Sequence, residues 1–189
     1  MQQKYRLALV EKPAVEPVTV SEIKLIAHIS HDVEDTILAS WIRTGRRLAE
    51  IFQRKAYITQ IWNVYFDFFP ELPVFLPRSP VQSLLSIDYT DSAGSHALNL
   101  DNFIIDLGAC PARLSFKNGC SWPAATLQNM NALSIRYIAG YGDTAEDVPD
   151  EIKDAIALYC VWRNENRAGE GPIPKAFYNL LRGHGRIYL

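Results

Sequence analysis

The sequence predicts an α+β fold: a discontinuous helical bundle with an inserted antiparallel β sheet or small barrel. Three observations carry this. A 3.6-residue period places Ile37, Leu38, Trp41, Ile42, Gly45, Leu48, Ala49 and Phe52 in one arc. A period of two replaces it at Trp62, Val64, Phe66 and Phe68, which alternate with Asn63, Tyr65 and Asp67. Helical signals then return at Asp147. The predicted division is residues 1–57 plus 146–189 as a helical part, and residues 58–145 as an inserted β part.

Met1 to Pro17 reads as an extended arm, because Pro13 and Pro17 oppose helix and no period is visible. Thr19-Val20-Ser21-Glu22 is a capping box. A short helix follows it and ends near Ile29. Ser30 or Asp32 is the expected cap of a second, long helix, with Glu34 and Asp35 matching its positive start. That helix ends near Lys55. Its polar arc holds Arg43, Arg46, Arg47 and Arg54, with Glu50 among them. Such a stripe is ordinarily a solvated face, but arginine forks also suit a carboxylate-bearing partner or DNA phosphate.

The β part opens at the Trp62 alternation. Pro77 and Pro80 then bracket a turn, an apolar run from Val81 to Tyr89 reads as a strand, and Asp91 to Gly94 turns it into a hairpin. Phe103–Asp106, Ala112–Phe116 and Leu133–Ile138 are further strands. Short spacers of Gly, Pro, Asn, Asp and Ser separate them, with no helix-length pattern between. This favours antiparallel pairing over parallel crossovers.

Asp147 or Val148 caps the next helix, Pro149 sits in its first turn, and Asp150, Glu151 and Asp154 load its start. Ala155 to Trp162 is apolar all round, so burial on more than one side is expected. Pro174 can open a last short helix with Phe177, Leu180 and Leu181 inward. Gly183 and Gly185 then release an apolar tail, Ile187-Tyr188-Leu189, a candidate for docking on a partner.

Composition excludes several function classes. The 189 residues are 48% hydrophobic and 21% charged, which is globular rather than disordered. A net charge of −2 argues against a strongly basic nucleic-acid binder. Cys110, Cys120 and Cys160 lack ligand spacing and read as reduced thiols. No signal peptide is expected, since Met1 to Arg6 is polar and no apolar segment follows. The longest uncharged apolar run, Ala155 to Trp162, is far below the ~18 residues of a membrane span.

No motif assigns a catalytic, cofactor-binding or metal-binding residue. His28 and His31 are three apart, but a helix break at Ser30 separates them and no third ligand is near. Asp88 and Asp91 flank a turn, where Asp is common. Ser121-Trp122-Pro123 and Gly140-Tyr141-Gly142 lack the glycine pattern of a nucleophile elbow or phosphate loop.

Several phrases, in order and spacing, resemble the head–tail connector (head-completion or adaptor) proteins of tailed phages, in the longer subtype with a β insertion. They are Val18-Thr19, Glu22, Lys24, Ile26 and Ile29; Glu34-Asp35; Arg46, Glu50 and Arg54-Lys55; and Thr59 to Trp62. The most specific is LPRSPVQSLLSIDYTDSAG, residues 76–94. Trp122-Pro123, Tyr137 to Gly142, Val148 to Ile156, and Glu165 to Arg167 follow. Residues 24–28 and the tail beyond Gly183 depart from the pattern.

The resemblance implies a structural virion protein without catalysis or cofactor. It implies a homo-oligomeric ring, a dodecamer in the family, at the portal–tail joint of a phage or prophage. Its partners would be further copies of itself, the portal protein, a tail or neck completion protein, and DNA passing through without sequence-specific contact. No membrane is implied; the location is the virion, with the host cytoplasm during assembly. Two other readings stay open: a different neck or tail-completion protein, and a small hydrolase or sugar-binding module with a polar pocket around Asp88, Asp91 or His96.

Overall fold

A computed structural model describes residues 4–168 and 170–183. The chain forms two units: residues 1–12 with 59–140, and residues 13–58 with 141–189. The fold is α+β, with antiparallel sheets in the first unit and helices in the second.

The sheet unit holds β1 (Arg6–Glu11), β2 (Gln60–Phe66), β3 (Val74–Leu76), β4 (Val81–Asp91), β5 (Gly94–Ala97), β6 (Phe103–Asp106), β7 (Ala112–Phe116) and β8 (Leu133–Ala139). Five strands form one sheet in the order β1-β2-β8-β4-β5, and three form another in the order β3-β7-β6. Every ladder is antiparallel, and neither sheet closes into a barrel among the described residues. In β2, Trp62, Val64 and Phe66 point inward, as the period of two requires. They meet β8 in register, Trp62 opposite Tyr137 and Val64 opposite Ile135. Phe68 lies beyond the strand and is half exposed, so the alternation ends one turn earlier than the residue types suggest.

Residues 6–11, expected as part of an arm, are strand β1. Arg6 pairs with Tyr65 and Leu9 with Trp62. The backbone partner that makes RLALVE a strand lies more than fifty residues away, which no local period can reveal. β3 is missed for a related reason: three residues between Pro73 and Pro77 gain their ladder only from β7. A ring cluster joins the two sheets. Trp122 stacks on Phe69 at 5.0 Å, packs edge-on to Phe116 at 4.8 Å, and donates from Nε1 to the Pro70 carbonyl at 3.0 Å. Tyr89 of β4 meets Phe69 at 5.7 Å.

The helical unit holds α1 (Val20–Ile26), α2 (Asp35–Gln53), α3 (Asp150–Glu165) and α4 (Lys175–Gly183). The Thr19 box forms as expected: the Glu22 amide donates to Thr19 Oγ1 at 3.2 Å, and the Thr19 amide donates to Glu22 Oε2 at 2.6 Å. These bonds, the backbone one foremost, hold the Glu22 carboxyl below its usual range. The start of α2 differs from expectation. Glu34 is its N-cap without a side-chain capping bond, its carboxylate pairing instead with Arg167, while Asp32 pairs with Lys24, which also reaches Asp35 at 2.9 Å. A short 3₁₀ turn, capped by Thr144 and Asp147, precedes α3, so Asp147 lies outside the helix.

The apolar cluster of this unit runs from Val18 to Leu181 and draws on both ends of the chain. Leu38, Trp41, Ile42 and Ala49 of α2 face Ile152, Ile156 and Tyr159 of α3 through that cluster. The helices approach closely at Gly45, where an added Cβ would lie 2.9 Å from Tyr159 Cδ1. From α4, Phe177 and Leu181 are fully buried. Two expected core residues are not: Ile37 is 43% exposed and Phe52 is 41% exposed. The buried arc of α2 is narrower than its apolar sequence arc, and Phe52 packs against Tyr178 at its edge, ring to ring at 5.1 Å.

Candidate interaction surfaces

The four arginines do not act alike. Arg43 and Arg47 stand exposed on α2. Arg46 is turned inward: its Nε donates to Glu16 Oε2 at 2.6 Å, and its Nη1 donates to Glu50 Oε2 at 2.8 Å. Its side chain keeps only 12% exposure. Burial works against the Arg46 charge, and the two carboxylates outweigh it, raising the pKa. Buried Glu50 also accepts from the Tyr57 amide at 3.1 Å, tying the helix to the segment after it. Arg46 is therefore a structural anchor, not part of a free stripe. The i,i+4 spacing to Glu50 is the sequence signal for it; Glu16 carries none, because it lies outside the helix.

Arg54 is also off the helical arc. It is the C-cap of α2 in the left-handed region at φ 55°, with an exposed side chain. What remains on one exposed face of α2 is Ile37, Ser40, Arg43, Thr44, Arg47 and Ile51, with Arg54 at its end. Basic and apolar groups share this face, which the apolar-arc reading of the sequence does not separate.

A counterpart lies in the same unit. Asp143, Glu146, Asp147, Asp150, Glu151 and Asp154 are all exposed around the start of α3. Lys153 is the one base among them and pairs with Asp150 at 2.7 Å. The sequence shows these as helix-start charges; their gathering on one surface needs the turn capped by Thr144 to bring residues 143–147 beside α3. The candidate docking residues Ile187, Tyr188 and Leu189 lie outside the described residues.

Asp88, Asp91 and His96 do not line a polar pocket. His96 Nε2 and Asp91 Oδ1 are 2.9 Å apart across the β4–β5 hairpin, which holds the Asp91 carboxyl below its usual range. Tyr89 stacks on the imidazole at 4.9 Å, and Asp88 accepts from Ser86 at 2.7 Å. A cleft of about 450 Å³ in this unit is lined instead mainly by Phe69, Pro70, Leu72, Phe116 and Trp122, with Glu71 and Ser121 beside them. No three His, Cys, Asp or Glu side chains converge as a metal site among the described residues. No helix among them is long and apolar enough to cross a membrane. Cys160 is buried in α3, which pushes its thiol up to about 12.

No protein-family model matches the chain, and no curated protein matches it. Solved structures do. A chain of the neck of an empty gene transfer agent (GTA) particle, computed with C6 symmetry, superposes with a TM-score of 0.79 at 18% identity. The match covers 97% of both chains. A chain of the virion of a native GTA particle gives 0.78 at 18% identity, over 97% of this chain and 96% of that one. A chain of the neck of a native GTA particle, computed with C12 symmetry, gives 0.72 at 19% identity, over 96% and 97%. At such identities the likeness establishes a shared fold along nearly the whole chain.

Proposed function

We propose that this chain is a structural neck subunit of a phage-like particle, one that forms a homo-oligomeric ring at the portal–tail joint. The observation that carries the proposal is the fold it shares, end to end, with chains of GTA necks and virions. The connector-like phrases of the sequence point the same way. The C6 and C12 symmetries recorded for those necks suit a ring, and a dodecamer is the form this reading expects.

In this role the subunit binds further copies of itself, the portal protein on one side and a tail or neck completion protein on the other. DNA passes through the channel without sequence-specific contact. The protein resides in the virion after assembly in the host cytoplasm. The exposed arginines of α2 serve an interface, and the Ile187-Tyr188-Leu189 tail docks on a partner. Catalysis has no part in it: binding energy spread over repeated interfaces needs no preorganised polar cluster.

Negative-stain microscopy of the concentrated protein, alone and with its portal protein, tests this. Ring-shaped particles are expected, with a subunit number readable by native mass spectrometry. In the producing cell, loss of the protein should leave DNA-filled heads unjoined to tails. Joined, infective or transducing particles without it would overturn the proposal.

A further inference from the structure

The helical unit has a second exposed apolar feature, on the α1–α3 side. A groove of about 420 Å³ is floored by Ile26, Leu158, Val161, Trp162 and Pro174. Asp154 and Glu165, both exposed on α3, line it too. Apolar surface continues outward from Ile26: that residue is 52% exposed, and its neighbour Leu25 is 79% exposed. An acidic, apolar-floored groove and the basic, apolar outer face of α2 are thus both carried by one unit.

We infer that these two surfaces are complementary halves of one contact: the α2 face of each subunit seats in the α1–α3 groove of the next copy. Three features support this. The charges are opposite, Arg43 and Arg47 against Asp154 and Glu165. The apolar content matches, with exposed Ile37 and Ile51 on α2 facing the groove floor of Leu158, Val161 and Trp162. On α2, Arg43 and Arg47 are one helical turn apart and Ile37 and Ile51 bracket them on the same arc, so charge and apolar groups form one continuous strip. Finally, the surfaces are different patches of one chain. Such a contact is heterologous, and repetition closes it into a ring when the rotation allows.

The contact explains why two groups of apolar side chains stay exposed in a unit with a full core. It also separates the arginines by role. Arg46 is spent inside the subunit on Glu16 and Glu50, leaving Arg43 and Arg47 for the neighbour. The acidic partner is then the helical unit of the next copy. This inference rests on the proposed ring for its closure, but not for the pairing of the two surfaces.

Charge exchange in the full-length protein tests it. One variant carries Arg43→Glu and Arg47→Glu; a second carries Asp154→Lys and Glu165→Lys. All four side chains are exposed, so thermal unfolding should stay at the wild-type temperature. Sedimentation velocity and negative stain then read self-association. Each variant alone should need at least about tenfold more protein to assemble, and the chain carrying all four changes should recover most of that loss. Leu158→Asp, which puts a carboxylate on the groove floor, should weaken assembly as strongly without rescue.

The outcomes separate the two readings. Rings that ignore both charge variants overturn the inference and leave the ring standing; the groove then takes another occupant, such as the Ile187–Leu189 tail. Association that obeys the charge exchange but yields dimers or open chains supports the pairing and overturns the ring. Single-surface losses with no recovery in the combined variant overturn the pairing. A wild-type protein that never self-associates, with or without its portal, overturns both.

Discussion

The sheet unit and the helical unit solve the same burial problem in different ways. In the sheet unit, β2 and β8 are neighbours whose alternate residues turn inward, and short turns join only β4 to β5 and β6 to β7, the other ladders pairing strands distant in sequence. Its polar ends are satisfied nearby: Asp91 with His96, and Asp106 with Arg113. In the helical unit, one cluster is filled from residues 18–58 and from residues 148–181, segments far apart in sequence. It also exposes one basic face and one acidic face. A unit whose core depends on both ends of the chain is vulnerable at single buried positions, while its exposed charged faces remain available for assembly.

The largest expected effect tests that vulnerability. Phe177 lies fully buried in α4, so Phe177→Ala should cost about 3–5 kcal/mol in urea unfolding. Phe52→Ala, on a ring 41% exposed, should cost only about 1 kcal/mol. Equal costs would show that the cluster does not end where the burial pattern ends.

The next effect divides the arginines. Arg46→Ala strips two carboxylates of a largely buried partner and should cost about 3 kcal/mol. Arg43→Ala and Arg47→Ala should stay within about 0.5 kcal/mol of wild type, because both residues are exposed. A destabilised Arg43 or Arg47 variant would place those residues in the fold and remove them from the interface.

Smaller still is the cap of α1. Thr19→Ala should cost about 1 kcal/mol. The Glu22 half of the box carries a pH dependence. Its carboxyl is depressed in the folded protein, so its stabilisation is complete above the ordinary glutamate range and is lost as pH falls through the lowered value. Thermal unfolding in acid should show a smaller loss for Glu22→Gln than for wild type.

The smallest test is kinetic. Cys110 and Cys120 of the sheet unit are half-buried, whereas Cys160 of the helical unit is buried with a thiol pushed up to about 12. A thiol reagent near neutral pH should modify two cysteines in the native protein and the third only on unfolding. Fast loss of all three thiols would mean that α3 opens readily, contrary to its place in the core.

By itself the sequence determined the α+β class, the capping box at Thr19, the strands Phe103–Asp106 and Ala112–Phe116, and inward Phe177 and Leu181. These follow from local period and cap chemistry, which act over a few residues and so are written in consecutive positions. The tertiary structure alone decided that residues 6–11 are an edge strand, since their ladder partner lies at β2. It decided that Phe52 stays at the surface, because burial of a helix face depends on the width of what packs against it. It also decided the fate of the arginines. A helical wheel gives four charges one arc, but only the fold brings Glu16 to Arg46 and bends Arg54 off the helix, leaving Arg43 and Arg47 facing outward.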